Sequence, residues 1–323
     1  MICKNILLDK SNPKVYISTY LLENSDQYDK NKCRPAVLIF PGGGYTKISD
    51  REAEFVALAF AAKGYHAFVL RYSVKENAAM PRPIVEAFQA IKLIRGHSKE
   101  WCVDPDRLVV CGFSAGGHLA SCTLTMWNDP ELLNLVGSDR KTIRPNAGIL
   151  SYPCIVFPFR QGPVKTDYKE GSLNDFIKKA IPELGLKSAD EARELIYTQD
   201  GYIWMEFSKT LNRMLMGKMD FTLDEIVKYS TNLRVDTGTP PTFIWTTRTD
   251  QTVPVEDSID FVDAMIKNCC NIEFHMFGDG QHGLSLAVEQ TAGGKDMINP
   301  QAAKWFSMSL DWLSTVFGLE ASS

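Results

Sequence analysis

Short apolar or β-branched runs alternate along this chain with segments of helical period, and that alternation restricts the fold more than any single residue does. The runs "AVLIF" (36–40), "AFVLRY" (67–72) and "RLVVCG" (107–112) predict buried strands, with three more at about 147–151, 242–247 and 272–277. Two possible strands, at about 4–8 and 14–22, precede them. Such a pattern points to the α/β class: a mostly parallel central sheet of about eight strands, flanked by helices.

Local signals mark the helices. Ser49 and Glu52 have the spacing of a capping box, predicting a helix that opens there and stops at Gly64, where a residue tolerant of positive φ is favoured. Ile84, Phe88, Ile91 and Ile94 repeat at helical spacing behind Pro81 and Pro83, and Phe306, Leu310, Leu313 and Phe317 do the same near the C-terminus. Both stripes are expected to face the core. Residues from about 158 to 235 break the rhythm, being longer than an ordinary connection and rich in helix formers and aromatics. Two capping-box spacings, Ser188 with Glu191 and Thr222 with Glu225, predict short helices there. The chain is therefore read as one domain over 1–323 with 158–220 inserted as a helical lid, the alternative being a segment that merely covers a sheet face.

Composition narrows the function. With 323 residues, 45% of them apolar, the chain can bury a sizeable core. A net charge of −4 offers no basic field to a phosphate backbone, which argues against nucleic acid. The opening MICKNILLDK lacks the apolar core of a signal peptide and no stretch is long enough to span a bilayer, so a soluble cytoplasmic protein with no membrane partner is expected. The eight cysteines lie in apolar runs without CxxC spacing and are read as reduced, buried thiols rather than zinc ligands or disulfides.

The stretch "RLVVCGFSAGGHLAS" (107–121) sets Ser114 between Gly112 and Gly116, after a strand and before a helix. A sharp strand-to-helix turn holds such a serine in strained backbone, and side chains at the flanking glycines would collide with the neighbouring strand and helix. The plainer reading is a serine N-cap. A serine hydroxyl needs a base, and the base a carboxylate. Of the five histidines, His66 begins a strand, His97 ends a helix, His118 lies one turn into the helix after Ser114, and His275 is inside the last strand. His282, in the glycine-rich loop after that strand, is free to reach over the sheet, with His118 as its competitor. Asp250 follows the strand 242–247, and the chain order Ser, Asp, His favours it over Asp279 and over Glu256 and Asp257, which open a helix. The successive glycines Gly42 to Gly44 follow the first central strand, where bare amides can approach a ligand and, with the amide of Ala115, hold an oxyanion. Each of these groups follows the carboxyl end of a different strand, where open parallel sheets bind ligands.

These residues resemble the α/β-hydrolase superfamily, and within it the acetylxylan-esterase-like carboxylesterases related to bacterial feruloyl and acetyl esterases. The likeness rests on "FPGGGY" (40–45), "GFSAGGHLA" (112–120), "PPTFIWTTRTDQTVP" (240–254) and "GQHGLSLA" (280–287). It implies an α/β-hydrolase fold, a Ser114–His282–Asp250 triad, and Gly43, Gly44 and Ala115 as oxyanion donors. Pro41 stands where many such lipases and esterases carry histidine. The resemblance alone suggests the substrate: a small-molecule ester with a short acyl group, such as acetyl on a xylo-oligosaccharide. No metal or organic cofactor is implied, and the sequence sets no oligomeric state. A serine exopeptidase, an acyltransferase, or a binding protein with a silent triad are the alternatives.

Overall fold

The computed structural model describes residues 1–9, 12–160, 164–183, 186, 188–216 and 221–318. Its strands are β1 (Ile2–Leu7), β2 (Tyr16–Leu21), β3 (Arg34–Phe40), β4 (His66–Arg71), β5 (Val103–Phe113), β6 (Ala147–Ser151), β7 (Val164–Lys169), β8 (Ile196–Gln199), β9 (Tyr202–Met205), β10 (Thr242–Thr247) and β11 (Ile272–Phe277). Eight of them form one sheet in the order β1-β2-β4-β3-β5-β6-β10-β11, and β2 alone runs against the rest.

Both faces of this sheet are covered, which is why its central strands read as unbroken apolar runs. In β3, Ala36, Leu38 and Phe40 join the core on one face while Val37 and Ile39 join that on the other. β5 divides likewise, with Leu108 and Val110 on the first face and Val109, Cys111 and Phe113 on the second. The stripe Ile84, Phe88, Ile91 and Ile94 is fully buried on helix Arg82–Gly96. On the last helix, Lys304–Val316, the buried stripe is Trp305, Ser309, Trp312 and Leu313, while Phe306, Leu310 and Phe317 sit at its margin. The two indoles displace the expected face, Trp305 stacking on Trp245 at 5.4 Å.

Three local expectations are corrected. Ser49 caps nothing: Asp50–Glu52 is a 3-10 turn, and the helix runs from Glu54 to Ala61, ending before Gly64 (φ 87°). The inserted segment is not all helical. Besides helices Leu173–Glu183, Ala189–Leu195 and Phe207–Met216, it holds an antiparallel sheet in the order β7-β9-β8, whose hairpin turns on Asp200 and Gly201, both at positive φ. Asp-Gly between β-forming residues is the signal for that turn. The cysteines are not all inside either, since Cys3 on the edge strand β1 and Cys33 and Cys269 in connections are exposed. Thr222 and Glu225 form the full capping box, whereas Ser188 accepts from the Glu191 amide and the Glu191 carboxylate pairs with Arg213 instead. No helix among the described residues is long and apolar enough to cross a membrane.

Candidate active site

The site lies at the carboxyl ends of β3, β5, β10 and β11. At the end of β5 the chain turns into helix Ala115–Thr125 through Ser114, whose φ of 54° and ψ of −118° are far from helical. Sterics explain the flanking glycines. A Cβ on Gly112 would lie 2.1 Å from the Gly116 carbonyl oxygen, and one on Gly116 would lie 2.0 Å from that of Phe40. The turn is pinned to β6, with the Ser114 amide donating to Ser151 O (3.0 Å) and Ser114 O accepting from the Cys154 amide (3.2 Å). Although Ser114 occupies the N-cap position, its hydroxyl caps no amide.

That hydroxyl is 2.8 Å from His282 Nε2, and His282 Nδ1 is 2.7 Å from Asp250 Oδ2. Asp250 is ordered by its other oxygen, which accepts from the Thr252 and Val253 amides at 2.8 and 2.9 Å, and its side chain is 1% exposed. A carboxylate only accepts, so Nδ1 carries a proton, and in the neutral imidazole Nε2 is then the acceptor offered to the serine. The other acids go elsewhere. Asp279 accepts from Thr249 Oγ1 (2.9 Å), Glu256 is exposed, and Asp257, fully buried, accepts from the Ile155 and Val156 amides and pairs with Arg160. Burial pushes the Asp257 carboxyl above its usual range.

The remaining histidines are held in structural contacts. His118 is buried between the Tyr45 hydroxyl at Nδ1 and the Tyr229 carbonyl at Nε2, each at 2.9 Å, and burial lowers its pKa to about 4. His66 accepts from the Leu22 amide, His97 stacks on Trp101, and His275 contacts Glu273.

The glycine loop after β3 is fixed from behind. Pro41 O accepts from the Tyr72 hydroxyl, Gly42 O from the Ser49 amide, and Gly43 O from the Thr46 and Lys47 amides. Gly43 and Gly44 stand at φ of 120° and 61°, and a Cβ on Gly43 would fall 2.2 Å from Lys47 O. Among the described residues no protein acceptor takes the amides of Gly43, Gly44 or Ala115, whereas Gly42 donates to Glu52 Oε2 (2.8 Å). Gly43, Gly44, Ser114 and His282 line one cavity of about 630 Å³, walled further by Thr46, Ser49, Thr252 and, from the insertion, Leu211.

Sequence reasoning missed three residues at this site, of which Arg51 and Glu52 also line the cavity. Glu52, read as a helix cap, also accepts from the Tyr152 hydroxyl (2.7 Å). Tyr152 stands edge-on to the His282 ring, 5.0 Å between centroids. Arg51 donates to Gly283 O (2.8 Å) and Thr291 O (2.5 Å) and so braces the histidine loop. No local pattern marks these three, because their partners lie far away in the chain.

A family model described as BD-FAE matches residues 24–149. Over 269 residues, 81% of this chain, the sequence is 28% identical to an endo-1,4-beta-xylanase B of Butyrivibrio fibrisolvens; the chain spans about a third of that protein's length, 34%. The crystal structure of an acetyl ester-xyloside bifunctional hydrolase from Caldicellulosiruptor lactoaceticus is similar, with TM-score 0.68, 28% identity, and 98% of this chain and 97% of that one covered. The structure of MGS-M1, an α/β-hydrolase enzyme from a Medee basin deep-sea metagenome library, matches with TM-score 0.68 and 31% identity over 99% of both chains. With a likeness of that identity running the whole length of the fold, the chain belongs to the α/β hydrolases.

Proposed function

We propose that the protein is a serine carboxylesterase acting on short-chain esters. Its substrate is read as an acetyl ester of a xylo-oligosaccharide or similar sugar. The observation that carries this reading is the continuous line from Ser114 Oγ through His282 to Asp250, with contacts of 2.8 and 2.7 Å, opening on a cavity beside free glycine amides. The wall of that cavity includes Thr46, Ser49 and Thr252, whose hydroxyls suit a sugar, and the named activities of the xylanase and of the acetyl ester-xyloside hydrolase support the acetyl and xylosyl parts.

The reaction follows from the roles of the groups. His282 Nε2 takes the Ser114 proton as the oxygen attacks the ester carbonyl carbon, and Asp250 holds the imidazole tautomer and stabilises its charge. Negative charge then develops on the carbonyl oxygen, facing the amides of Gly43, Gly44 and Ala115. The alcohol leaves with the proton from His282, an acyl group stays on Ser114, and a water activated by the same histidine releases the acid.

The test is direct. A fluorophosphonate is expected to label Ser114, the wild-type chain to hydrolyse p-nitrophenyl acetate but no aminoacyl anilide, and Ser114→Ala to lose several orders of magnitude in turnover. An active Ser114→Ala protein would sink the reading. Acetate release across acetylated xylo-oligosaccharides, amino sugars and aryl esters then ranks the substrates.

A further inference from the structure

We infer that Glu52 is a positioning residue for this reaction, a buried carboxylate that locks the oxyanion loop and the histidine loop to one another; the inference rests on the ester-hydrolase reading above. Glu52 is 3% exposed and sits on the turn between the glycine loop and the next helix. Its Oε2 accepts from the Gly42 amide (2.8 Å) and its Oε1 from the Tyr152 hydroxyl (2.7 Å). The Tyr152 oxygen accepts in turn from the amide of Ser285, three residues beyond His282 (2.8 Å). One carboxylate therefore reaches the backbone of both loops.

The direction of these bonds explains why the group is an acid. The Ser285 amide can only donate, so Tyr152 accepts there and turns its single proton towards Glu52. The Gly42 amide also only donates. Glu52 must accept on both oxygens, which a carboxylate does and a carboxamide cannot. Burial and the Glu52 charge raise the Tyr152 pKa well above its ordinary value, which keeps the phenol a donor. The neighbouring residue reinforces the splice: Arg51 O accepts from Ser285 Oγ (2.6 Å), and the Arg51 guanidinium donates to Gly283 O.

The geometric effect is on the reacting atoms. Tying the Gly42 amide to Glu52 gives that donor a protein partner and leaves the next two amides for the substrate oxygen. Holding Tyr152 by the same carboxylate keeps its ring against His282. Releasing Glu52 thus loosens the oxyanion donors first and the base second.

The experiment compares the full-length wild type with Glu52→Gln and Tyr152→Phe. Competent sites are counted by fluorophosphonate labelling of Ser114 to completion. For each protein kcat and KM on p-nitrophenyl acetate, the Ki of phenylboronic acid and the melting temperature are measured. The boronate forms a tetrahedral anion on the serine and reports the oxyanion donors. In Glu52→Gln, kcat per labelled site is expected to fall about 100-fold, the scale of losing one oxyanion donor. The boronate Ki should rise by a similar factor while KM changes less than about threefold, the signature of an interaction made in the transition state. Tyr152→Phe keeps the Gly42 contact and should lose about tenfold, on the weaker scale of a positioned neighbour. A Glu52→Gln protein whose kcat per labelled site is within threefold of wild type, or whose turnover falls without a rise in boronate Ki, overturns the inference. If Glu52→Gln shows no cooperative melt, Tyr152→Phe decides, and unchanged kcat per site there overturns it equally. A wild type that neither labels nor turns over removes the ester-hydrolase reading and this inference together, whereas an active wild type with an indifferent Glu52→Gln removes this inference alone.

Discussion

The rim of the central sheet and the inserted segment solve different problems with the same residue types. At the rim, buried polar groups are engaged on both sides: Asp250 holds His282 and two amides, Glu52 holds Gly42 and Tyr152, and His118 holds Tyr45 and the Tyr229 carbonyl. In the insertion, β7 to β9 and helices Leu173–Glu183 and Ala189–Leu195 close over a separate apolar cluster that includes Ile177, Leu195, Ile196 and Ile203. Its charges meet partly in exposed pairs such as Arg193 with Asp190, although the Arg213 guanidinium that pairs with Glu191 is buried. Reaction geometry has to be fixed to fractions of an ångström, so residues at the rim answer to partners far away in the chain. The insertion answers to local packing, and helix Phe207–Met216 bridges the two through Leu211, Met214 and Leu215, which join the central core.

If that division is right, the largest effect comes from the rim. Asp250→Asn keeps the shape but presents a donor to His282 Nδ1, favouring the wrong tautomer, and kcat is expected to fall by roughly four orders of magnitude. A loss under tenfold would show that the chemistry does not run through this line. Ile203→Ala, at a fully buried position of the insertion, should cost about 2–5 kcal/mol within that module. Hydrogen exchange of the β8–β9 hairpin should speed up while p-nitrophenyl acetate hydrolysis stays within about threefold of wild type, as expected of a locally cooperative unit away from the reacting atoms. Equal loss of turnover would merge the two regions into one.

The same division decides what could be read from the sequence. Ala147–Ser151, Thr242–Thr247 and Ile272–Phe277 were legible to the residue, the first two as buried runs and the third as an edge strand that alternates apolar and polar residues, with turn residues bounding them. Ser114, His282 and Asp250 were legible as candidates from chain order and from their places after strands. Glu52 was not, because S-x-x-E serves equally a helix cap and a buried tertiary acceptor, and the choice is made by Tyr152, a hundred residues on. The insertion failed in the opposite way. Its strands are short and half-exposed, so β-period alternation is weak, and Asp200–Gly201 is the one local signal for the hairpin.

Acid separates the regions next. Burial lowers the pKa values of His118 and His66 to about 4, from an ordinary 6.5, so the folded protein resists protons that the unfolded chain accepts. Stability on this account is complete above pH 6.5 and is lost as pH falls from there to about 4, by about 3 kcal/mol for a site shifted this far. Glu86 and Asp257, whose carboxyls burial pushes up, act in the opposite sense and flatten the lower part of that fall. The segment 158–235 contains no histidine. Urea midpoints measured from pH 7 to pH 4.5 should fall for wild type and fall less for His118→Asn. Amide exchange should show the sheet loosening with acid before β8 and β9 do, and the reverse order would break the comparison.

The smallest effect belongs to the bridge. Leu211, 1% exposed, is the insertion's contribution to the cavity that Ser114 opens on. Replacing it with alanine enlarges the pocket without touching the proton line, so acetyl turnover per labelled site should hold within about twofold while longer acyl chains gain. A methylene in an apolar pocket is worth about 1 kcal/mol, which sets the expected rise in the propionyl-to-acetyl ratio of kcat/KM at about fivefold. An unchanged ratio would mean that Leu211 only packs the core, and selection among esters would then rest on the glycine loop and the Thr252 segment, inside the rim itself.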